Sequence, residues 1–94
     1  MMSGGHFNHG QYRLHDIASE IERLIELNDS TEKDHFGYDK GNHYPPEIIA
    51  RFKLAVERIK QAERMATRID YLVSGDDGEE SFLRRWAEEG LPDA

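Results

Sequence analysis

PPEIIARFKLAVERIKQAERMATRIDYLVS, residues 45–74, is the stretch that decides the fold. Pro45-Pro46-Glu47 reads as a helix start, because proline tolerates the first turn and an acid suits the positive end of the helix dipole. Behind it Ile48, Phe52, Ala55, Ile59, Ala62, Ala66, Ile69 and Val73 recur at alternating four- and three-residue steps. That is a heptad seam with no polar member. Three of its eight positions are alanine, which lets a neighbouring helix approach closely. A helix from Pro46 to Ser74 is roughly 40 Å long at a rise of 1.5 Å per residue.

Arg68 to Phe82 then reads as a helix end, a tight turn and a helix start. Gly75 can take the left-handed conformation that closes a helix, having no Cβ to clash. Asp76 or Asp77 can accept from the free amides of the next helix, with Glu79 or Glu80 three places on as in a capping box. A short third helix over 77–89 has Phe82, Leu83 and Trp86 as its apolar face, expected to fold back on the long helix. Gly90 and Pro92 end it.

Upstream, Leu14, Ile17, Ile21, Leu24 and Ile25 form one face of an amphipathic helix over 12–27, with Asp16, Glu20, Glu22 and Glu26 on the other sides. At roughly 24 Å it can cover only part of the long helix. Residues 1–11 are an arm without helical period. Residues 28–45 form a long polar loop whose aromatics, Phe36, Tyr38 and Tyr44, are expected to pack down. The fold expected is all-α, one domain over residues 1–94. It is an antiparallel helical hairpin with one long C-terminal-half helix plus a short third helix, completed by self-association because the seam outruns its cover.

Composition narrows the function classes. The formal net charge of −7 argues against general nucleic-acid binding, which needs cations to displace counterions. No apolar run approaches the roughly 20 residues of a membrane span. The start Met-Met-Ser-Gly-Gly-His lacks the pattern of a signal peptide, so a cytoplasmic location is expected. The absence of cysteine excludes disulfides, thiolate metal sites and a cysteine nucleophile.

No catalytic constellation stands out, and the chain is not expected to be an enzyme or to carry a cofactor. The serines form no Gly-x-Ser-x-Gly elbow, and no phosphate-cradling Gly-x-x-x-x-Gly-Lys loop is present. His6, His9 and His15 with nearby acids could hold a metal ion, the weakest of the readings, but their spacing matches no ligand signature. Asp76, Asp77, Glu79 and Glu80 lack the alternation of a calcium loop and are explained by capping.

One local asymmetry remains. Six Lys or Arg residues lie between Arg51 and Arg68, against two Glu. Lys53, Lys60, Arg64 and Arg68 fall close to one stripe of the long helix, and Tyr71 continues that side. Such a stripe can grip phosphates, with tyrosine offering a stacking surface. It can equally pair with the acids of the first helix, Glu20, Glu22 and Glu26.

The start Ser3-Gly4-Gly5-His6-Phe7-Asn8 with Gln11-Tyr12, and the segment from Arg68 to Phe82, resemble the two ends of a group of small acidic helical proteins common in tailed-phage and prophage genomes. Tryptophan is more usual in that group where Tyr71 stands. The resemblance implies a phage accessory protein acting in the host bacterial cytoplasm, and it brings no catalytic motif. It further implies a possible ligand, a cyclic nucleotide or ADP-ribose-type immune signal that a helical oligomer would sequester. Such a signal is expected where Lys53, Lys60, Arg64, Arg68, Tyr71, His6, Phe7 and Tyr12 lie. The alternative is an acidic interaction module that blocks a host protein, in the manner of a nucleic-acid mimic.

Overall fold

The computed structural model describes residues 6–93. Residues 1–5, including Ser3-Gly4-Gly5 of the opening motif and part of the expected arm, lie outside the described residues. Three helices make up the architecture: α1 (Tyr12–Leu27), α2 (Pro46–Val73) and α3 (Glu79–Glu88), with no strand among the described residues. α1 and α2 form an antiparallel hairpin, since partner numbers fall along α2 as they rise along α1. Gln11 meets Asp70, His15 meets Glu63, Glu22 meets Lys60, and Asn28 meets Tyr44 just before α2.

α2 is continuous over 28 residues. Its rotation differs from the expectation. α1 rests on the stripe of Ile49, Val56, Glu63 and Asp70, one residue beyond Ile48, Ala55, Ala62 and Ile69 of the apolar seam. One residue turns the helix by about 100°. The seam is therefore flanked by α1 rather than covered by it, and Ile48, Ile69 and Val73 stay exposed. Asp70, in that stripe, is completely buried.

α2 ends as the sequence indicates. Gly75 takes φ +82°, its amide donates to Leu72 O, and the Asp76 amide reaches back to Tyr71 O. This is the doubled cap that a left-handed glycine allows. α3 ends the same way at Gly90, with Leu91 tucked in behind it and buried. The start of α3 departs from the expected capping box. Gly78 occupies the cap position, and its partner three residues on is Ser81 rather than a glutamate. Asp77 accepts from the Gly78 amide and the Ser81 hydroxyl. Those donors, with Arg85 and Arg68 nearby, hold its carboxyl below the ordinary aspartate value despite burial. Phe82 and Trp86 pack, but Leu83 remains exposed, and Leu91 contributes in its place.

The loop between α1 and α2 is ordered by polar contacts. Asn28 is buried and both donates to Tyr44 O and accepts from Tyr44 N, at 3.0 and 2.9 Å. Gly41 sits so close to the end of α1 that a Cβ there would lie 2.4 Å from Leu27 O. Of the loop aromatics Tyr44 packs on the hairpin, edge-on to Phe52 with ring centroids 5.7 Å apart, and Phe36 touches only the neighbouring His35 ring, at 4.1 Å. Phe36 and Tyr38 project into solvent at 73% and 72% exposure, contrary to the expectation that they pack down.

The result is a rod of 54 × 27 × 15 Å with a radius of gyration of 17.9 Å, where a compact chain of this length would have about 12 Å. Only Ala18, Val56 and Leu91 are buried apolar residues among those described. The accessible surface is 6871 Å², roughly 1,300 Å² more than a compact monomer of this mass exposes.

Candidate functional site

The most constrained point of the molecule is the last full turn of α2. Asp70 Oδ1 accepts from the backbone amides of His6 and Phe7 at 2.8 and 3.3 Å, and Oδ2 accepts from Gln11 Nε2 at 3.0 Å. Ser74 Oγ approaches Asp70 Oδ1 at 3.4 Å and also accepts from the His6 amide at 3.2 Å. To aim two successive amides at one carboxylate the arm bends sharply, with Asn8 and His9 both at positive φ. That is an uncommon backbone conformation for any residue but glycine. Burial pushes the Asp70 carboxyl up, while the bonds from Gln11, Phe7, His6 and Ser74 outweigh it and hold the group below its usual value. Asp70 thus fastens the arm to α2. Sequence reasoning passed over it, although it is the single aspartate of α2 and stands among apolar neighbours.

The basic stripe is partly consumed by internal pairing. Lys60 Nζ lies 3.1 Å from Glu22 Oε2 across the hairpin. Arg68, 14% exposed, has its Nε 3.1 Å from Glu89 Oε2. The approach is off the N–H direction, so it is an ionic contact rather than a hydrogen bond. The Arg68 guanidinium also sits 5.0 Å from the centroid of the Tyr71 ring. Lys53 and Arg64 are exposed. Lys53 borders a shallow cleft of about 300 Å³ with Tyr44, Asp29 and Ile49. Arg68, Tyr71 and the arm share one end of the rod, Lys53 lies at the other, and Tyr12 stacks on His9 at the head of α1.

The histidines are dispersed. His6 meets Phe7 edge-on, His15 Nδ1 lies 3.6 Å from Glu63 Oε1, and His43 pairs with Asp39 at 2.9 Å. No cluster of three or more His, Asp or Glu able to hold a metal occurs among the described residues.

Two surface features were not read from the sequence. The first is an apolar groove of about 310 Å³ along one edge of the hairpin, between Ile21 and Leu24 of α1 and Phe52 and Ala55 of α2, with Arg51 at its rim. Ile17, 50% exposed, extends it one turn along α1, and the seam carries it on along α2 to Ile69 and Val73. The second is the loop tip that presents Phe36 and Tyr38. Among the described residues no helix is long and apolar enough to cross a membrane. The chain matches no family model, no curated protein and no solved structure.

Proposed function

We propose that this chain is a non-enzymatic binding protein that works as a homo-oligomer. The observation that supports this is the open apolar edge. A rod with three buried apolar residues among those described, and excess surface, leaves a contiguous greasy strip in water, and such strips mark interfaces. The excess of roughly 1,300 Å² per chain compares with about 800 Å² per partner in a standard interface. A second copy is the partner always present at matching concentration. Light scattering over a concentration series tests this, with an average mass that rises above one chain as the expected outcome.

For the ligand, we propose an anionic nucleotide signal, held where Arg68, Tyr71 and the His6–Phe7 arm share one end of the rod, with the exposed Arg64 one turn away. The resemblance of both chain ends to phage accessory proteins supplies the context, sequestration of a host immune signal in the bacterial cytoplasm. Calorimetry against cyclic di- and trinucleotides and ADP-ribose derivatives tests it. Submillimolar binding is expected, and a flat response across the panel removes the reading.

A second reading has an observation of its own. Lys60 and Arg68 already have acidic partners, whereas Asp16 and Glu26 of α1 and Glu79 and Glu80 of α3 are exposed. That favours an acidic surface docking on a basic host protein. Capture that weakens steeply with salt supports it, and salt-independent capture counts against it.

A further inference from the structure

The loop tip and the apolar groove are each unexplained alone and complementary together. We propose that Phe36 of one copy plugs the groove of a second copy, with Ile21, Leu24, Phe52 and Ala55 as the socket. This rests on the self-association reading above and names the contact that would carry it.

The knob is built to be presented. Asp34 Oδ1 accepts from the amides of Phe36 and Tyr38 at 2.8 and 3.1 Å, and the Asp34 amide donates to Tyr38 O at 2.8 Å. Gly37 takes φ +86° to close the turn, and Lys33 pairs with Asp39 across its base. At the foot of the loop Gly41 is wedged against Leu27 O. An aromatic side chain held in solvent by such a scaffold loses little freedom on docking, so most of its burial becomes binding energy.

The socket matches in size, polarity and charge. Its volume of about 310 Å³ accommodates an aromatic ring, and Arg51 is its one charged lining residue. The tip brings Asp34 next to Phe36, so an acid meets Arg51 at the rim, while Asp39 is paired with Lys33 and His43 in its own chain. Phe36 remains 73% exposed in its own chain, so the knob is not spent in cis. The loop joins the same ends of α1 and α2 that frame the groove. Two copies related by a twofold axis at that end can therefore exchange knobs reciprocally, the self-complementary arrangement of a closed dimer.

The chain lacks cysteine, which makes a cross-linking test clean. Chains carrying Tyr38→Cys, at the same exposed tip and with the Phe36 knob kept, are mixed with chains carrying Ala55→Cys and treated with a short thiol-reactive cross-linker. A control mixture replaces Ala55→Cys by Glu80→Cys on α3. Preferential linked dimer in the first mixture is expected, and equal yields in both overturn the plug. Phe36→Ser is read in parallel by sedimentation, with helix content checked by circular dichroism. Its dimer dissociation constant is expected to rise about tenfold to a hundredfold. A wild-type dimer that persists unchanged in Phe36→Ser overturns the plug and leaves self-association standing. A wild-type chain that stays monomeric overturns both.

Discussion

The two long edges of the α1–α2 hairpin are built from opposite chemistry. On one edge His15 faces Glu63 and Glu22 faces Lys60, so charges close the gap between the helices. On the other, Ile17, Ile21 and Leu24 face Phe52 and Ala55 with only Arg51 at the rim, and the gap stays open as a groove. The charged edge is finished within one chain, because exposed ion pairs satisfy themselves and water solvates the rest. The apolar edge is unfinished, because nothing in the described chain removes it from water. A closed edge and an open one thus lie on the same pair of helices.

The rotation of α2 separates the two edges and turns Asp70 inward, so the largest expected effect follows from the loss of that carboxylate. Asp70→Ala strands the amides of His6 and Phe7 and the Gln11 side chain. It is expected to lower the Tm by about 10 °C or more. Amide exchange at His6 and Phe7 should accelerate in the same variant, whereas slow exchange there would show that the arm is held by something else. Acid should act more gently on the same point. The Asp70 pKa is depressed in the fold, so its stabilisation is complete above the unfolded aspartate value of about 3.9 and is lost as pH falls below that through the lower folded value. Arm release seen by NMR well above pH 4 would contradict the assignment.

Next in size is the apolar edge. Ile17→Lys places a charge on a half-exposed position, so the monomer fold is expected to stand while dimer dissociation rises by about a hundredfold. Unchanged association would move the interface elsewhere. Gly41→Ala tests the loop that bears the aromatic tip. Its Cβ would lie 2.4 and 2.5 Å from two carbonyl oxygens of α1's end, and a loss of about 2–4 kcal/mol is expected in denaturant unfolding. The smallest effect belongs to the charged edge. Lys60→Ala leaves Glu22 half-exposed and should cost about 0–1 kcal/mol. A loss several times larger would mean that the ion-paired edge does more than Asp70 to hold the hairpin together.

The helices were legible because their signals are local. Pro46 opens α2, Gly75 and Gly90 close α2 and α3, and apolar spacing marks the faces. The one-residue rotation was not legible, since the carboxylate it buries finds its donors more than fifty residues away in the chain. Lys53, Lys60, Arg64 and Arg68 were readable as a stripe, yet their pairing with Glu22 and Glu89 depends on tertiary approach. Phe36 and Tyr38 look like packing residues by type. Only the turn at Asp34 and Gly37 shows that they are displayed, and Asp34 two residues before Phe36 and three before Gly37 is the cue that carried that information.

Sedimentation equilibrium of the unmodified chain, from low micromolar to near-millimolar concentration, addresses the open edge most directly. A mass that climbs to a dimer or a higher closed oligomer, with dissociation in the micromolar range or tighter, is the expected result. A single-chain mass of 10.9 kDa across the whole range would contradict it.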